Sequence, residues 1–438
     1  MKSTELSDVP ITSPLQILPD APAVGRSAPV PGPSLGFGRT FAAFRHHNYR
    51  LFFLGQLVSV IGTWMQTVAI GWLVYDLSHS PLVLGLVLFL GGVPVTLFTL
   101  LGGALADRID KRRVVITTEL AAMVLALALA ALVYFDAIQI WHIALIVFLD
   151  GVTNAFDIPT RQSLVVEMVG KEDLTNAIAL NSSLFNGARV FGPALAGMLI
   201  GVIGIAGCFF LNSLSYLAVV AAYLAMRLPK TPKRKERKPV WHDTLEALRY
   251  VSSQPMLRAV MILVAIVSLF GWPYSVLLPV FARDVLHSSM SEYGYLVAAN
   301  GVGAVAGALS LAFVGSSAQA PRLIYGSLVG FSVALGAFAL SNVYWISAAA
   351  LAGSGFFMIV FFATANASVQ TRVPNELRGR VMGIYSLAFL GLTPFGSLFA
   401  GVIARSTTAA FTVLLGAGIC VAAGLAAMWV MRSRRNAS

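Results

Sequence analysis

Twelve stretches of this chain, each about 20 residues or longer, are too apolar for water and long enough to cross a hydrocarbon layer of roughly 30 Å. Lipid offers no partner to a backbone N–H or C=O, so apolar runs of this length must close their hydrogen bonds internally as helices. The spans are 50–75, 81–105, 113–135, 139–159, 174–200, 204–227, 257–281, 291–314, 321–340, 343–370, 376–403 and 407–431. Only Asp136 to Gln139 separates the third from the fourth. Hydrophobic residues make up 57% and charged residues 11% of the chain, against about a half and a quarter in soluble domains. The fold class is an all-α integral membrane protein.

Charge placement orients it. With the N-terminus in the cytoplasm, nearly all of the 30 lysines and arginines fall on the inner side; Arg283 and Arg405 lie outside and Arg189 lies within a span. The excess of inside positive charge predicts an N-in, C-in, multi-pass protein of the cytoplasmic (inner) membrane. The net charge of +11 then reads as a topology signal and an attraction to anionic lipid of the bilayer, with no nucleic-acid partner required.

Residues 1–44 carry Pro10, Pro14, Pro19, Pro22, Pro29, Pro31 and Pro33 among small and polar residues, which reads as a disordered cytoplasmic tail and not as a signal peptide. Cys208 and Cys420 sit inside apolar spans as core filler. A central loop, 228–256, contains KTPKRKERKP followed by WHDTLEALRYVSSQ, a short amphipathic stretch suited to the cytoplasmic face. It divides the chain into two six-helix bundles, 45–227 and 257–431, with a short tail at 432–438. The halves repeat weakly: GPALAG at 192–197 matches GSLFAG at 396–401, and KEDL at 171–174 sits where PNEL does at 374–377. Such repeats are how many transporters build a midplane site between two rocking bundles.

GGALADRIDKRR, residues 102–113, lies between the second and third spans and resembles the glycine, aspartate and basic signature of the major facilitator superfamily. Gly103, Asp107, Arg108, Lys111 and Arg112 match it, while Asp110 stands where the pattern prefers glycine. FRHHNYRLFFLGQLVSVIGTWMQTVAIGWLVYDLSHSPLVLGLV, NAFDIPTRQSL and NAIALNSSLFNGARVFGPALAG resemble the branch containing the enterobactin exporter and related multidrug or macrolide efflux proteins. The similarity runs over 41–431 and implies export driven by protons, with a broad range of substrates. Gly192, Pro193, Ala196 and Gly197 resemble the antiporter signature of drug–proton exchangers, with Ala196 where glycine is preferred. Close helix packing alone accounts for the same composition.

The loop signature also has a physical task. Asp107 is expected near the cytoplasmic start of the eleventh span, where unpaired N–H groups and the positive end of the helix dipole attract an anion, reinforced by Arg378 and Arg380. Asp157, with Arg161 one turn on, is expected to take Arg108 or Arg112, giving a charged cytoplasmic gate. Alternatively, the basic residues serve only to set topology.

Three polar stripes recur at helical spacing: Gln56, Ser59, Thr63 and Gln66 on the first span; Asp150, Asn154, Asp157 and Arg161 on the fourth; Ser182, Asn186, Arg189 and Pro193 on the fifth. They predict a wet wall in the N-terminal half. Asp150 and Arg189 lie about 12 Å and about 18 Å below the outer ends of their spans. A lone intramembrane charge is costly, so the two are expected to pair or to share a water-filled cavity. They act either as a permanent ion pair or as a proton-exchanging carboxylate beside a substrate-binding arginine. Glu119 is the second proton-carrier candidate, or a snorkelled interfacial acid.

The C-terminal half has few interior charges; its candidates are Trp272 and Tyr274, which flank Pro273 in a broken segment, together with Phe356, Phe357, Phe361, Phe362 and Asn366. A polar wall facing an aromatic one suits a large amphiphile. GVGAVAG at 301–307 has the wrong spacing for a dinucleotide loop, no GxxxxGK[ST] occurs, and the six histidines have no metal-site spacing. The chain is expected to be no enzyme and to need no cofactor or metal beyond the proton motive force. It is expected to work as a monomeric secondary transporter exporting an amphiphilic small molecule, siderophore or drug-like, in exchange for protons. An importer of the same fold, or a transport-inactive sensor or lipid-handling scaffold, are the alternatives.

Overall fold

The apolar runs fold as helices from end to end. The computed structural model describes residues 41–106, 109–170, 172–227, 240–314 and 320–437, with side chains described except at 100–106, 240–244, 314, 375, 376 and 431–437. Residues 1–40, most of the expected tail, therefore lie outside the described residues, as do Asp107, Arg108 and Lys171. Residues 42–44, assigned to the tail by sequence, belong instead to a 3₁₀ turn, Ala42–Arg45, in which Ala42 and Ala43 are buried.

The helices are α1 His47–Ser78, α2 Pro81–Ala106, α3 Lys111–Tyr134, α4 Ile140–Val169, α5 Leu174–Ala225, α6 Val240–Ser253, α7 Pro255–Ile266 and α8 Tyr274–Val280. They continue with α9 Met290–Val314, α10 Ala320–Leu340, α11 Tyr344–Arg372, α12 Asn375–Ser386, α13 Thr393–Ser406 and α14 Ala409–Ala437. Among the described residues, eleven helical runs are long and apolar enough to cross a membrane. The difference from twelve lies in α5, whose 52 residues join two of the predicted spans. At a 1.5 Å rise per residue, so long a helix would far exceed the hydrocarbon layer. It is broken at Gly204, where φ 68° and ψ 179° leave helical space in a region that in practice only glycine enters. The fourth span is also longer than its apolar window, because α4 continues through Pro159 to Val169. The amphipathic stretch after the basic loop forms α6, and the C-terminal residues through 437 extend α14.

Prolines shape the C-terminal half. The run from α7 to α8 is interrupted by a π turn at Val267–Gly271, where Trp272 N–H donates to Val267 O at 2.7 Å just before Pro273. A second π turn follows at Phe281–Val285, and a third, Leu387–Gly391, lies shortly before Pro394. A proline ring clashes with the carbonyl four residues earlier, and the extra residue of a π turn is one way to make room for it.

The two repeated motifs pack alike. A Cβ added at Gly192 would lie 2.4 Å from Trp64 Cβ on α1, and one at Gly396 would lie 2.7 Å from Leu269 O and Pro273 Cγ in the α7–α8 run. Each motif thus sets its first glycine against the leading helix of its own half. The last glycines cross to the other half: Gly197 meets Ser291 O on α9, and Gly401 meets Pro81 O and Gly85 on α2. The α9 and α2 sides are also glycines, since a Cβ at Gly294 would sit 2.8 Å from Gly197 Cα and one at Gly85 3.0 Å from Gly401 Cα. Small residues let these backbones touch. Cys208 and Cys420 are buried free thiols.

Candidate functional site

Between the halves, Arg189 projects from α5 toward Asn300 on α9. Its Nη2 donates to Asn300 Oδ1 at 2.8 Å, and its guanidinium lies 5.9 Å from the Trp64 ring centroid and 5.5 Å from that of Trp272. Asn300 is itself held from behind: its Nδ2 donates to Tyr274 Oη at 2.7 Å and, at 3.0 Å each, to Leu351 O and Ser354 Oγ. Trp272 continues into an aromatic group with Phe362 and Phe389, ring centroids 6.0 and 5.8 Å away. Helices α1, α5, α9 and the α7–α8 run thus bring one cation and two tryptophans together from both halves.

A second constellation is buried inside the N-terminal half. Arg161 Nε pairs with Asp157 Oδ2 at 2.5 Å on the same face of α4, and its Nη1 lies 3.8 Å from Glu119 Oε1 on α3. The same Nη1 donates to Gln56 Oε1 of α1 at 2.5 Å, while Thr118 Oγ1 donates to Asp157 Oδ1 at 3.0 Å. Glu119 and Asp157 are each only 4% exposed. Two carboxylates therefore share one guanidinium, and among the described residues Glu119 Oε2, Gln56 Nε2 and Tyr223 Oη have no hydrogen-bond partner.

Of the two arrangements expected for Asp150 and Arg189, a direct pair or a shared cavity, the direct ion pair does not form. Asp150 Oδ2 instead accepts from Asn154 Nδ2 at 2.9 Å, one turn along α4, while Arg189 faces the other half. Asp157 likewise takes Arg161 rather than Arg112, whose Nη2 donates to Leu224 O at 2.7 Å. The polar stripe on α1 does not form a wet wall: Gln56 is 1% exposed and bonded to Arg161, and Gln66, also buried, accepts from Asn212 Nδ2 of α5 at 2.8 Å. Thr63 is exposed and donates to Ser59 O within its own helix, and half-buried Asn186 donates to Ser182 O. Asn366 accepts from Gln370 one turn away. Glu119 is paired inside the core and does not snorkel.

Of the expected cytoplasmic gate, Asp107 and Arg108 lie outside the described residues, and the surroundings of Gly103 are not described either. Lys111 pairs with Glu167 of α4, within the same half. Arg380 reaches Glu246 of α6 at 2.7 Å, and Arg378 is exposed. His46 Nε2 meets Asp173 Oδ2 at 2.9 Å. Within the fifth-span motif, Gly192, Pro193, Ala196 and Gly197 are all buried at helix crossings.

Sequence reasoning missed a latch at the opposite end of the helices. Arg283, after α8, pairs with Asp76 near the end of α1, and Tyr75 Oη donates to Asp284 Oδ2. Both contacts join the halves beside the Trp72–Tyr293 ring pair, centroids 5.7 Å apart. The available signal was Arg283 itself, one of two cations stranded on the sparsely charged side. Because Asp76 and Arg283 are 43% and 31% exposed, the pair is worth about 0.2–1 kcal/mol. Arg283→Asp is expected to increase the distance between spin labels placed on α1 and α9 at this end, and the exchange Asp76→Arg with Arg283→Asp to restore it. An unrestored distance in the exchange variant would mean that charge does not hold this end.

The model for the transmembrane secretion effector family matches residues 38–438. The chain is 26% identical over 356 residues to the staphyloferrin A transporter of Staphylococcus aureus, covering 81% of this chain and 89% of that protein. It is 25% identical over 393 residues to an enterobactin exporter of Citrobacter koseri, covering 89% and 93%. A solved nucleoside transporter superposes with a TM-score of 0.70 at 15% identity, covering 87% of this chain and 99% of its own, and so shares the fold.

Proposed function

The chain belongs to the transmembrane secretion effector family of the major facilitator superfamily, a family of transporters and not of enzymes, and on that premise we propose that it is a proton-driven exporter. Its cargo is an amphiphilic small molecule, siderophore or drug-like, moved across the cytoplasmic membrane by alternating access. The functions of the relatives, enterobactin export and staphyloferrin A transport, support export of a siderophore-like compound.

In this reading the chain is a monomer of twelve spans, N-in and C-in, with α5 counted as two around Gly204 and two pseudo-symmetric bundles meeting at the Arg189 site. The matched packing of GPALAG and GSLFAG supports the pseudo-symmetry. The end carrying Asp76 and Arg283 faces outward, and its latch and glycine crossings must part for cargo to leave. Gly103, Asp107, Arg108, Lys111, Arg112, Arg378 and Arg380 serve the inner gate.

One observation carries the proton coupling: among the described residues, Glu119 and Asp157 share the single cation Arg161, and Glu119 keeps one carboxylate oxygen without a partner. The trio carries one negative charge in excess of neutrality, and one proton supplies the balance. Intramembrane ionisable groups of this kind mark proton relays. The test is efflux of a fluorescent amphiphile from cells with and without a protonophore. Wild type is expected to lower accumulation only while the proton gradient stands, and Glu119→Gln to lose that dependence while remaining folded in the membrane. A Glu119→Gln variant that still responds fully to the protonophore would remove Glu119 from coupling, leaving Asp150 as the next carboxylate.

A further inference from the structure

We propose that Arg189 is the binding site for an anionic group of the cargo, and that this cargo carries its anion on a flat aromatic or conjugated body. The inference rests on the transport reading and names the substrate class of its central site.

The two intramembrane arginines of the N-terminal half differ in their company. Arg161 has two carboxylates and an amide oxygen around it. Among the described residues Arg189 has no carboxylate within ion-pair distance, and its one side-chain acceptor is the neutral amide of Asn300. A guanidinium offers five N–H donors in a planar fork. A single amide oxygen leaves most of that fork unclaimed, and none of the remaining nitrogens is a sealed, partnerless buried atom. Buried charges are ordinarily paired, and a permanent cation amid lipid-spanning helices without an internal counter-ion is an expensive feature with an obvious complement. A carboxylate, phenolate or similar oxyanion completes the fork with charge-assisted, bidentate hydrogen bonds.

The surroundings fix the rest of the ligand. Asn300 cannot swing freely, because its amide nitrogen is tied to Tyr274 and to the α11 backbone. The α9–α11 crossing is equally tight, since a Cβ at Gly355 would lie 2.0 Å from Asn300 O. Asn300 is therefore a fixed, neutral partner that holds one donor of the guanidinium and leaves the others to an anion. Trp64 and Trp272 stand on the guanidinium from opposite halves of the chain and present rings to whatever binds it. Those faces suit a planar body beside the anion. A cationic amphiphile meets an unscreened positive charge here and is excluded. The proton site at Glu119 and the anion site at Arg189 are then separate.

The test is calorimetric titration of the full chain in lipid nanodiscs with three matched probes, 2-naphthoate, 2-naphthamide and 2-naphthylmethylammonium. Wild type is expected to bind naphthoate at least about tenfold more tightly than the amide and to give no heat with the cation. Arg189→Gln is expected to lose that preference, and Arg189→Lys to keep part of it. Asn300→Asp is the sharper variant, because it keeps the arginine and gives it an internal counter-ion. The Tyr274 and Ser354 hydroxyls can turn to donate to the new carboxylate, but Leu351 O loses its donor, so the variant is compared only once its thermal midpoint shows that it is folded, and it should then lose naphthoate binding by about tenfold or more. Equal binding of acid and amide, preference for the cation, no binding of any probe, or naphthoate binding unchanged in Arg189→Gln or Asn300→Asp each overturns the proposal. Binding needs no proton gradient, so the two readings fail separately. Naphthoate binding without gradient-driven efflux removes the transport reading and keeps the site. Gradient-driven efflux of neutral or cationic compounds that Arg189→Gln leaves intact does the reverse.

Discussion

Arg161→Met is expected to destabilise the protein by about 3–5 kcal/mol, the cost of stripping a buried ion pair of one partner. Asp157 and Glu119 would be left facing each other among apolar helices, with Thr118 still donating to Asp157. Thermal unfolding in detergent reads this as a lowered midpoint. The companion variant combines Arg161→Met with Asp157→Asn and Glu119→Gln, and should recover most of the loss, because removing every charge of a buried cluster is far cheaper than orphaning some of them. If the triple variant is as unstable as the single one, the three side chains do not form one electrostatic unit, and the proton proposal loses its basis.

The second large effect concerns the crossing of α5 and α9. A side chain at Gly294 would meet Gly197 N, Gly197 Cα and Pro193 O at 2.8 Å each, all backbone atoms that no rotamer change can move. Gly294→Val is therefore expected to wedge the halves apart at the end that the latch also closes, and to cut transport by more than about tenfold. Overpacking of this kind costs about 1–3 kcal/mol, so the protein should still assemble in the membrane. Gly336→Val on α10, where nothing lies within 4 Å of the added Cβ, is the matched control and should transport normally. Transport by Gly294→Val within a factor of about two of wild type would mean that the close approach is not needed for the cycle.

Much of the architecture is legible in the sequence because the membrane imposes it locally. A run of 20 apolar residues has one economical structure in lipid, whatever its neighbours, and so the helices stand close to where hydropathy puts them. Even the break at Gly204 falls at the first residue of the predicted sixth span, since the residue that permits a positive φ is visible in the chain. The GPALAG and GSLFAG repeat is likewise written in the sequence, and its small residues announce close contact without saying with what. Residue type marked Arg189, Glu119 and Asp157 as exceptional, because charge inside a span is rare at any position.

Partners were decided by the tertiary structure alone. Spacing along a helix set Asp157 beside Arg161 at i,i+4, yet nothing local says that Glu119, on a different helix, completes the group. Arg189 finds Asn300, 111 residues away and in the other half, instead of the carboxylate that charge pairing favoured. Asp76 and Arg283 are likewise distant in sequence and meet only because the ends of α1 and α8 converge. Hydropathy fixes how each segment meets lipid, one segment at a time. Which polar side chains meet one another depends on the rotation and tilt of each helix, and those are set by interhelical packing at the small residues.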